Sequence, residues 1–214
     1  MKKKFRYGGA ALACTLLALS AFAVAMGPAS VADPPPDSEL IKPLPVVTPT
    51  ASNWVPKFPF PYDQTRNRVT DADISAEREM CQWYNAQYEL LIDQIDRVQF
   101  NRIQQDGPGV RIGSGTDWDY SFGPIQQQVD VLTANIDQSE DFLAPRAQAL
   151  TQIQDLAGDD DFPLYQGKSF YLLWQHLSNV SKGIKAHQPD WFTGPSVQRV
   201  KLWGMRINRS HVCW

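Results

Sequence analysis

Few side chains in this sequence have the types and spacing that catalysis or metal binding requires, and the three histidines are the first candidates. His176 falls in a segment with helical periodicity, and its imidazole is a possible ligand for zinc or haem. No second ligand stands three or four residues away, as helical metal sites such as HExxH require. We therefore interpret His176, His187 and His211 as hydrogen-bonded or surface residues, and we expect no metal and no cofactor.

The other motifs that carry chemistry are incomplete. The Gly-Ser-Gly sequence at 113–115 is not the GxSxG elbow of a serine nucleophile, and nothing pairs it with a histidine and an acid. The glycine-rich stretch 107–123 misses the GxGxxG spacing and follows a predicted helix, whereas a nucleotide-binding loop follows a strand. The acidic residues are too numerous to nominate a glycosidase pair. The sequence therefore favours a non-catalytic protein.

The cysteines predict one disulfide bond. Of the three cysteines, Cys14 lies in the N-terminal apolar stretch, which leaves Cys81 and Cys213 as an even pair. An even pair in an exported chain is typical of a disulfide. A metal site is disfavoured because neither cysteine belongs to a CxxC motif or to a nearby Cys/His cluster. We expect Cys81 and Cys213 to be bonded.

Residues 1–32 have the features of a secretory signal peptide. A basic start precedes an apolar run from Gly8 to Met26, and the small residues Ser30 and Ala32 occupy the positions that signal peptidase reads. We expect export by the Sec pathway, with Asp33 as the first mature residue, and a secreted, periplasmic or cell-envelope location. An uncleaved membrane anchor is the alternative, because the apolar run is almost long enough to span a bilayer.

Residues 33–62 form a predicted proline-rich linker or arm with nine prolines. Proline fixes φ and lacks an N–H, so neither a helix nor a central strand can run here. The part up to Thr50 predicts an extended spacer that holds the folded domain away from the membrane. The aromatic part predicts either a strap against the outside of the fold or a recognition segment for a partner. Its rings are Trp54, Phe58, Phe60 and Tyr62.

A long amphipathic helix is predicted from Thr70 to Gln105. Thr70 suits the N-cap, Asp73 stands in the capping-box position, and Asp106-Gly107-Pro108 ends the helix. Steps of three and four residues separate the apolar positions, which place one stripe along the helix. The stripe contains Cys81, Tyr84, Tyr88, Leu91, Ile95 and Val98.

A second helix is predicted from Pro124 to Gly158, with a kink or break at Pro145. Its stripe contains Ile125, Val129, Leu132, Ile136, Leu143, Leu150 and Ile153. Two such helices joined by one loop form an antiparallel hairpin.

Two further helices complete the predicted domain of residues 63–214. The third spans about Lys168–Ala186; the fourth is shorter, starts near Pro195 and is weakened by Gly204. Their stripes contain Phe170, Leu173, Trp174, Leu177, Val180, Ile184, Val197, Val200, Trp203 and Ile207. We predict an all-α fold, namely a four-helix bundle built on a long antiparallel helical hairpin, with a proline-rich extended N-terminal arm.

Charge is unevenly distributed along the chain. Residues 71–161 hold 18 acidic and 5 basic residues, whereas residues 162–214 hold 7 basic and 1 acidic residue. One interpretation is that the basic part docks onto the acidic part within one domain. The other is that the basic part binds an anionic partner, such as lipid headgroups or a wall polymer.

Two function classes follow from these features. The first is an exported cell-envelope or secreted protein that acts as a non-catalytic binding or interaction module for an envelope protein, lipid or wall component. We expect no nucleic-acid partner, and membrane contact only through an uncleaved signal segment. The predicted binding residues are Trp54, Phe58, Phe60, Tyr62, Trp118 and Tyr120. The alternative is a protein for a small apolar ligand or haem, or an unrecognised small enzyme, that uses a cavity between the helices.

Overall fold

All regular structure is helical in the residues that the computed structural model describes, namely 41–99, 123–153, 162–188 and 190–214. These residues belong to one unit, which spans Pro35–Trp214. Four helices, one of them interrupted by a π-turn, confirm the predicted all-α class. Within the four described ranges, no helix is both long enough and apolar enough to cross a membrane.

The first helix runs continuously through three segments. These are α1 (Asp71–Trp83), a π-helical turn (Tyr84–Tyr88) and α2 (Glu89–Gln99). The predicted capping box is confirmed, because the Asp73 N–H donates to Thr70 Oγ1 at 3.2 Å and the Thr70 N–H donates to Asp73 Oδ2 at 2.7 Å. The predicted end of this helix near residue 105 lies outside the described residues. The π-turn had no signal in the sequence pattern.

The predicted stripe of the first helix is buried along its whole length. All six of its residues are at most 8% exposed. The stripes of the other helices are buried in the same way, apart from the partly buried Trp174 and from Ile125, whose side chain is not among those described. Steps of three and four residues therefore identified the core correctly.

The second helix, α3, spans Gly123–Ala149, so the predicted end at Gly158 is wrong. The carboxylate of Asp73 provides the physical reason, because its Oδ1 accepts the Thr151 N–H at 2.6 Å. In a continued helix, the Thr151 N–H would donate to the Ala147 carbonyl four residues earlier. That carbonyl instead accepts the Leu150 N–H at 3.4 Å. Of the kink or break predicted at Pro145, the break is wrong, because the helix continues through this residue to Ala149.

The third and fourth helices are α4 (Gly167–Lys185) and α5 (Asp190–Ser210). The bounds of α4 match the prediction within one residue. By contrast, α5 is 21 residues long and contains Pro195, so a short helix that starts near this proline is wrong. Tertiary packing explains the extra turn, since the buried Thr193 lies against α4 at Gly183, where an added Cβ would be 2.2 Å from Thr193 Cγ2.

The helices pack on one another through these stripes. The most extensive contact is between α4 and α5; α3 packs against α1, α2 and α4. Gly204 allows the first helix to approach α5, because an added Cβ would lie 2.0 Å from Tyr88 Oη. The glycine that weakens the helix in isolation is therefore required by the packing.

The predicted disulfide is present. The sulfur atoms of Cys81 and Cys213 lie 2.11 Å apart, and 132 positions separate the two residues in the sequence. The bond connects α1 to the segment that follows α5. It therefore fixes the C-terminal residues against the first helix.

The described part of the proline-rich arm lies against the helices, so the predicted spacer is wrong for residues 41–50. Ile41 and Leu44 are buried, while the residues between them are exposed. A spacing of three residues places two side chains on one face of a polyproline II helix, which has three residues per turn. The arm therefore adds an apolar edge to the core.

Side-chain amides hold the main chain of this arm. Asn135 accepts the Leu44 N–H through Oδ1 at 2.9 Å, and Gln94 donates to the Lys42 carbonyl at 2.9 Å. Gln82 both accepts from the Thr50 N–H and donates to the Thr50 carbonyl. Further bonds come from Gln87, Gln128 and Gln138. Together these amides bind the N–H groups of Ile41, Leu44 and Thr50 and the carbonyls of Lys42, Pro45 and Thr50, and so hold the arm against the helices.

Candidate ligand-binding cleft

The predicted binding residues fall into three groups. Trp54 and Phe58 are half-buried and pack against the core. The indole N–H of Trp54 donates to the Val212 carbonyl at 2.6 Å, and the guanidinium of Arg66 lies 4.8 Å from the centre of the Phe58 ring. Packing thus accounts for these two rings as parts of a strap. Trp118 and Tyr120 form the second group and lie outside the described residues.

The third group, Phe60 and Tyr62, stands at the turn where the arm meets the helical domain. Phe60 is 80% exposed. Tyr62 begins a 3₁₀ turn, and the centre of its ring lies 5.1 Å from that of Tyr165 in an edge-to-face arrangement. Phe60 is therefore the exposed ring of this group, whereas Tyr62 is half-buried and packs against Tyr165.

Tyr62 borders an open cleft of about 320 Å³, which we call the basic cleft. Its walls come from the arm, the start of α4 and the second half of α5. The lining residues are Tyr62, Tyr165, Gln166, Lys168, Ser169, Trp203, Arg206, Arg209 and Ser210. Among these described residues, three are aromatic, three are basic and none is acidic. This combination can hold an anionic group and a ring or sugar face together.

The α4 side of the basic cleft is arranged by a chain reversal. Gln166 is the N-cap of α4 and adopts a left-handed conformation with φ of 68°. Its Oε1 accepts the hydroxyl of Ser169 at 2.6 Å, which orients both side chains. Lys168 stands between them in the first turn, where the helix dipole and the backbone N–H groups favour anions.

The α5 side presents one helical face. Trp203, Arg206 and Arg209 follow one another at intervals of three residues, so they are neighbours on that face. The guanidinium of Arg206 lies 4.4 Å from the centre of the Trp203 ring, which is within the range of a cation–π contact. The Trp203 indole N–H is buried and has no acceptor. The hydroxyl of Ser210 donates to the Ile207 carbonyl at 2.7 Å.

The basic residues of the C-terminal part lie in two different surroundings. Lys185 pairs with Asp137 on α3 at 2.7 Å, and Lys201 pairs with Asp96 on α2. These contacts dock the basic part onto the acidic part. The basic cleft differs, because its three basic residues converge where none of the lining residues that the structure describes is acidic.

Two other clefts of the described residues run beside α3 and have a different character. Their volumes are about 370 and 580 Å³, and both include Asp137. Asp130 lines the first, and Asp141 lines the second together with the exposed Val46. Among these three clefts, the basic cleft combines aromatic walls with positive charge.

A buried carboxyl was missed by the sequence reasoning. Glu77 is fully buried, and neither of its side-chain oxygens has a hydrogen-bond partner. Burial raises the pKa of Glu77 well above its usual range, and the neighbouring Asp73 raises it further. Glu77 stands four residues before Cys81, so it continues the apolar stripe towards the N-terminus. An acid at a stripe position was the signal that should have identified it.

His176 is the other titratable group without a clear role. It is half-buried, its Nδ1 has no hydrogen-bond partner, and its pKa is lowered by burial and then by the charge of Arg199. None of the three clefts includes it. No group of three or more potential metal ligands occurs in the described parts of the chain.

No protein-family model matches the chain, and no curated protein sequence or solved structure is significantly similar to it. Function is therefore inferred from the chemistry of its own residues. The basic cleft can bind an anion through Lys168, Arg206 and Arg209 and can support a bulkier group against its aromatic walls.

Proposed function

We propose that this chain is an exported, non-catalytic binding protein of the cell envelope or the secreted fraction, and that it binds an anionic envelope component in the basic cleft. In this proposal the four helices form a bundle built on an antiparallel hairpin, with the proline-rich arm packed along it. The signal-like residues 1–32 and the Cys81–Cys213 disulfide support export, because disulfides persist in oxidising compartments.

One observation carries the binding proposal, namely the convergence of Lys168, Arg206 and Arg209 in a concave site whose described lining residues include no acid. Like charges three residues apart on a helix repel each other by about 0.2–0.5 kcal/mol. Arg206 and Arg209 have this spacing, and Lys168 adds a third positive charge. An anionic ligand removes this repulsion, so the site is complementary to negative charge.

The alternative class needs a cavity between the helices for an apolar ligand or haem. Such a cavity would be enclosed, would measure several hundred cubic ångströms, and would be lined by Trp, Tyr and His side chains. The three clefts described above are open to solvent instead. Large side chains fill the stripe positions, including Leu132, Ile136, Leu143 and Phe170, none of which is exposed. These observations favour the binding module over the cavity protein.

Sedimentation with isolated envelopes tests the proposal. The oxidised chain is compared with the double variant Arg206→Glu/Arg209→Glu and with the control Lys182→Glu/Arg199→Glu, whose basic residues are exposed and lie outside the basic cleft. Since hydrogen bonds to charged groups contribute about 1.5–3 kcal/mol each, we expect at least a tenfold loss of binding for the first variant only. Binding should also weaken with salt.

Equal loss in both double variants would show that total charge, and not the basic cleft, drives association. Retained binding in the Arg206/Arg209 variant would refute the proposed site. Circular dichroism confirms that each variant is folded. Phe60→Ala and Trp118→Ala test the predicted aromatic contacts separately, since both leave the charge of the cleft unchanged.

A further inference from the structure

We infer that the anion bound in the basic cleft is a phosphoryl group attached to a sugar or polyol unit. This inference rests on the proposed function and specifies the ligand of the same site. In this arrangement the phosphoryl group lies among Lys168, Arg206 and Arg209, and the sugar or polyol lies against Tyr62 and Tyr165.

Charge selects a phosphoryl group over a carboxylate. Arg206 and Arg209 alone carry two positive charges, and none of the described residues that line the cleft is acidic. A carboxylate supplies one negative charge, whereas a phosphomonoester carries about −1.5 to −2 at neutral pH and offers three strong acceptor oxygens. The phosphomonoester therefore neutralises more of the site and can accept hydrogen bonds from more than one basic side chain at once.

The geometry of the basic side chains suits the same group. The guanidinium of Arg206 is exposed and lies 4.4 Å from the centre of the Trp203 ring. A guanidinium binds phosphate oxygens in pairs, and a side chain already held by a ring contact loses less freedom on binding. Lys168 approaches from the first turn of α4, where an anion is also stabilised by the helix terminus.

The neutral part of the ligand is indicated by the remaining lining residues. Ser169 and Ser210 already donate their hydroxyl hydrogens to Gln166 and to Ile207. The Ser210 oxygen also accepts the Val212 N–H at 3.3 Å, so each hydroxyl oxygen still has a lone pair that can accept a further hydrogen bond. Gln166 uses its Oε1 to accept from Ser169, which leaves its NH₂ group as a donor. Acceptors and a donor beside aromatic rings match the hydroxyl groups and C–H face of a sugar or polyol.

The size and shape of the site favour a single small unit. A volume of about 320 Å³ lies at the lower end of the range for small-molecule sites. A cleft of this size, with polar lining groups, admits one sugar phosphate more readily than an acyl chain. A flat bilayer surface does not enter a concave site, so we favour the soluble or polymer-borne unit over intact membrane.

Calorimetric titration of the oxidised chain tests the ligand class. The probes are a hexose monophosphate, the neutral hexose, the corresponding hexuronate and inorganic phosphate. We expect the hexose monophosphate to bind at least tenfold more tightly than each of the others. Vesicles of phosphatidylglycerol, with phosphatidylcholine vesicles as control, present the phosphoryl group on a membrane and should bind more weakly than the soluble probe.

Variants assign the two halves of the ligand to residues. Arg206→Lys keeps the charge but removes the paired N–H groups of the guanidinium, so the affinity for the hexose monophosphate should fall at least tenfold. Tyr62→Ala should lower the affinity for the hexose monophosphate and leave the affinity for inorganic phosphate unchanged. Lys182→Glu, outside the cleft, should leave both affinities unchanged. The far-ultraviolet circular dichroism and thermal midpoint identify any variant that has lost its fold.

Each contrary result identifies what is wrong. Equal binding of the hexuronate would overturn the phosphoryl assignment, and equal binding of inorganic phosphate would overturn the sugar or polyol part. Binding to phosphatidylglycerol vesicles alone would assign the site to a membrane surface. If no probe binds while envelope binding still requires Arg206 and Arg209, the ligand class is wrong and the proposed function stands. If envelope binding is independent of these arginines, the proposed function itself fails.

Discussion

Gly204→Ala should destabilise this protein, although the same change in an ordinary helix is stabilising. The added Cβ would lie 2.0 Å from both Oη and Cζ of Tyr88, whereas carbon atoms pack at about 3.5–4.0 Å. The Tyr88 ring cannot simply move aside, because it stacks on Tyr84 with ring centres 4.6 Å apart. Tyr84 in turn donates its hydroxyl to the Gly204 carbonyl at 2.8 Å.

The magnitude follows from three opposing contributions. Replacement of glycine by alanine inside a helix stabilises by about 1 kcal/mol. Overpacking of a filled core costs up to about 3 kcal/mol, and loss of the bond between Tyr84 and the Gly204 carbonyl costs about 1 kcal/mol. We therefore expect the free energy of unfolding to fall by up to about 3 kcal/mol. For a domain of this size, that corresponds to a decrease of roughly 6–12 °C in the thermal midpoint.

Chemical denaturation of four variants measures this effect. Gly167→Ala is the matched control, because the nearest side-chain atom to its added Cβ lies at 3.4 Å, which is ordinary contact. Gly204→Ala is also measured in a Tyr88→Ala background, where the obstructing ring is absent and the change should become stabilising. A stabilising Gly204→Ala in the wild-type background would refute the reasoning. So would an equally large loss in the Tyr88→Ala background.

Three other predictions concern stability. The raised pKa of Glu77 means that the folded state keeps a proton that the unfolded state releases, so the free energy of unfolding should fall as pH rises above about 4.5. Denaturation at a series of pH values should show this fall for the wild type and not for Glu77→Gln. The same dependence of stability on pH in both proteins would contradict the prediction. Reduction of Cys81–Cys213, a separation of 132 residues, should cost up to about 5 kcal/mol in denaturation with and without reductant, and unchanged stability would refute it. Leu44→Ala should lower the free energy of unfolding by about 2–5 kcal/mol, because Leu44 is buried. Val46 is 75% exposed, so Val46→Ala should change stability little, and equal effects of the two changes would show that the arm is not packed.

Much of the helical core could be predicted because its signals are local. The spacing of Leu91, Ile95 and Val98 can be interpreted from the helical period and the tendency of apolar side chains to be buried. The capping box of Thr70 and Asp73 depends on residues three apart. The cysteine pairing was predicted from the even number of cysteines left after Cys14 and from the expected export of the chain. Each of these inferences uses information that stays within one element or within the composition.

The helix ends that were predicted wrongly depend on contacts between elements that are distant in the sequence. The end of α3 is determined by Asp73 on α1, which takes the N–H of Thr151. The first turn of α5 persists because Thr193 packs at Gly183 of α4. Tertiary contacts override local propensity at both places. No pattern within α3 or α5 alone contains that information.

The prediction that residues 41–50 of the arm form a spacer was wrong for a different reason. Proline-rich sequence was interpreted as a spacer because proline excludes helix and central strand. That exclusion leaves polyproline II, which has its own period of three, and Ile41 and Leu44 follow it. A search for apolar residues at this period would have indicated that the arm packs. The basic cleft had no such signal, since Lys168 and the two arginines of α5 are brought together only by the packing of α4 on α5.

The strap and the cleft are mechanically connected through the C-terminal residues. The disulfide holds Cys213 against α1, and the arm binds the same segment, because Trp54 donates to the Val212 carbonyl and Lys57 donates to the carbonyl of Trp214 at 2.7 Å. These contacts fix the arm a few residues before Tyr62, which forms one wall of the basic cleft. The aromatic strap is therefore structural at its start and faces the proposed ligand at its end. Because the disulfide supports both, oxidation of the cysteines should favour a cleft with Tyr62 in place.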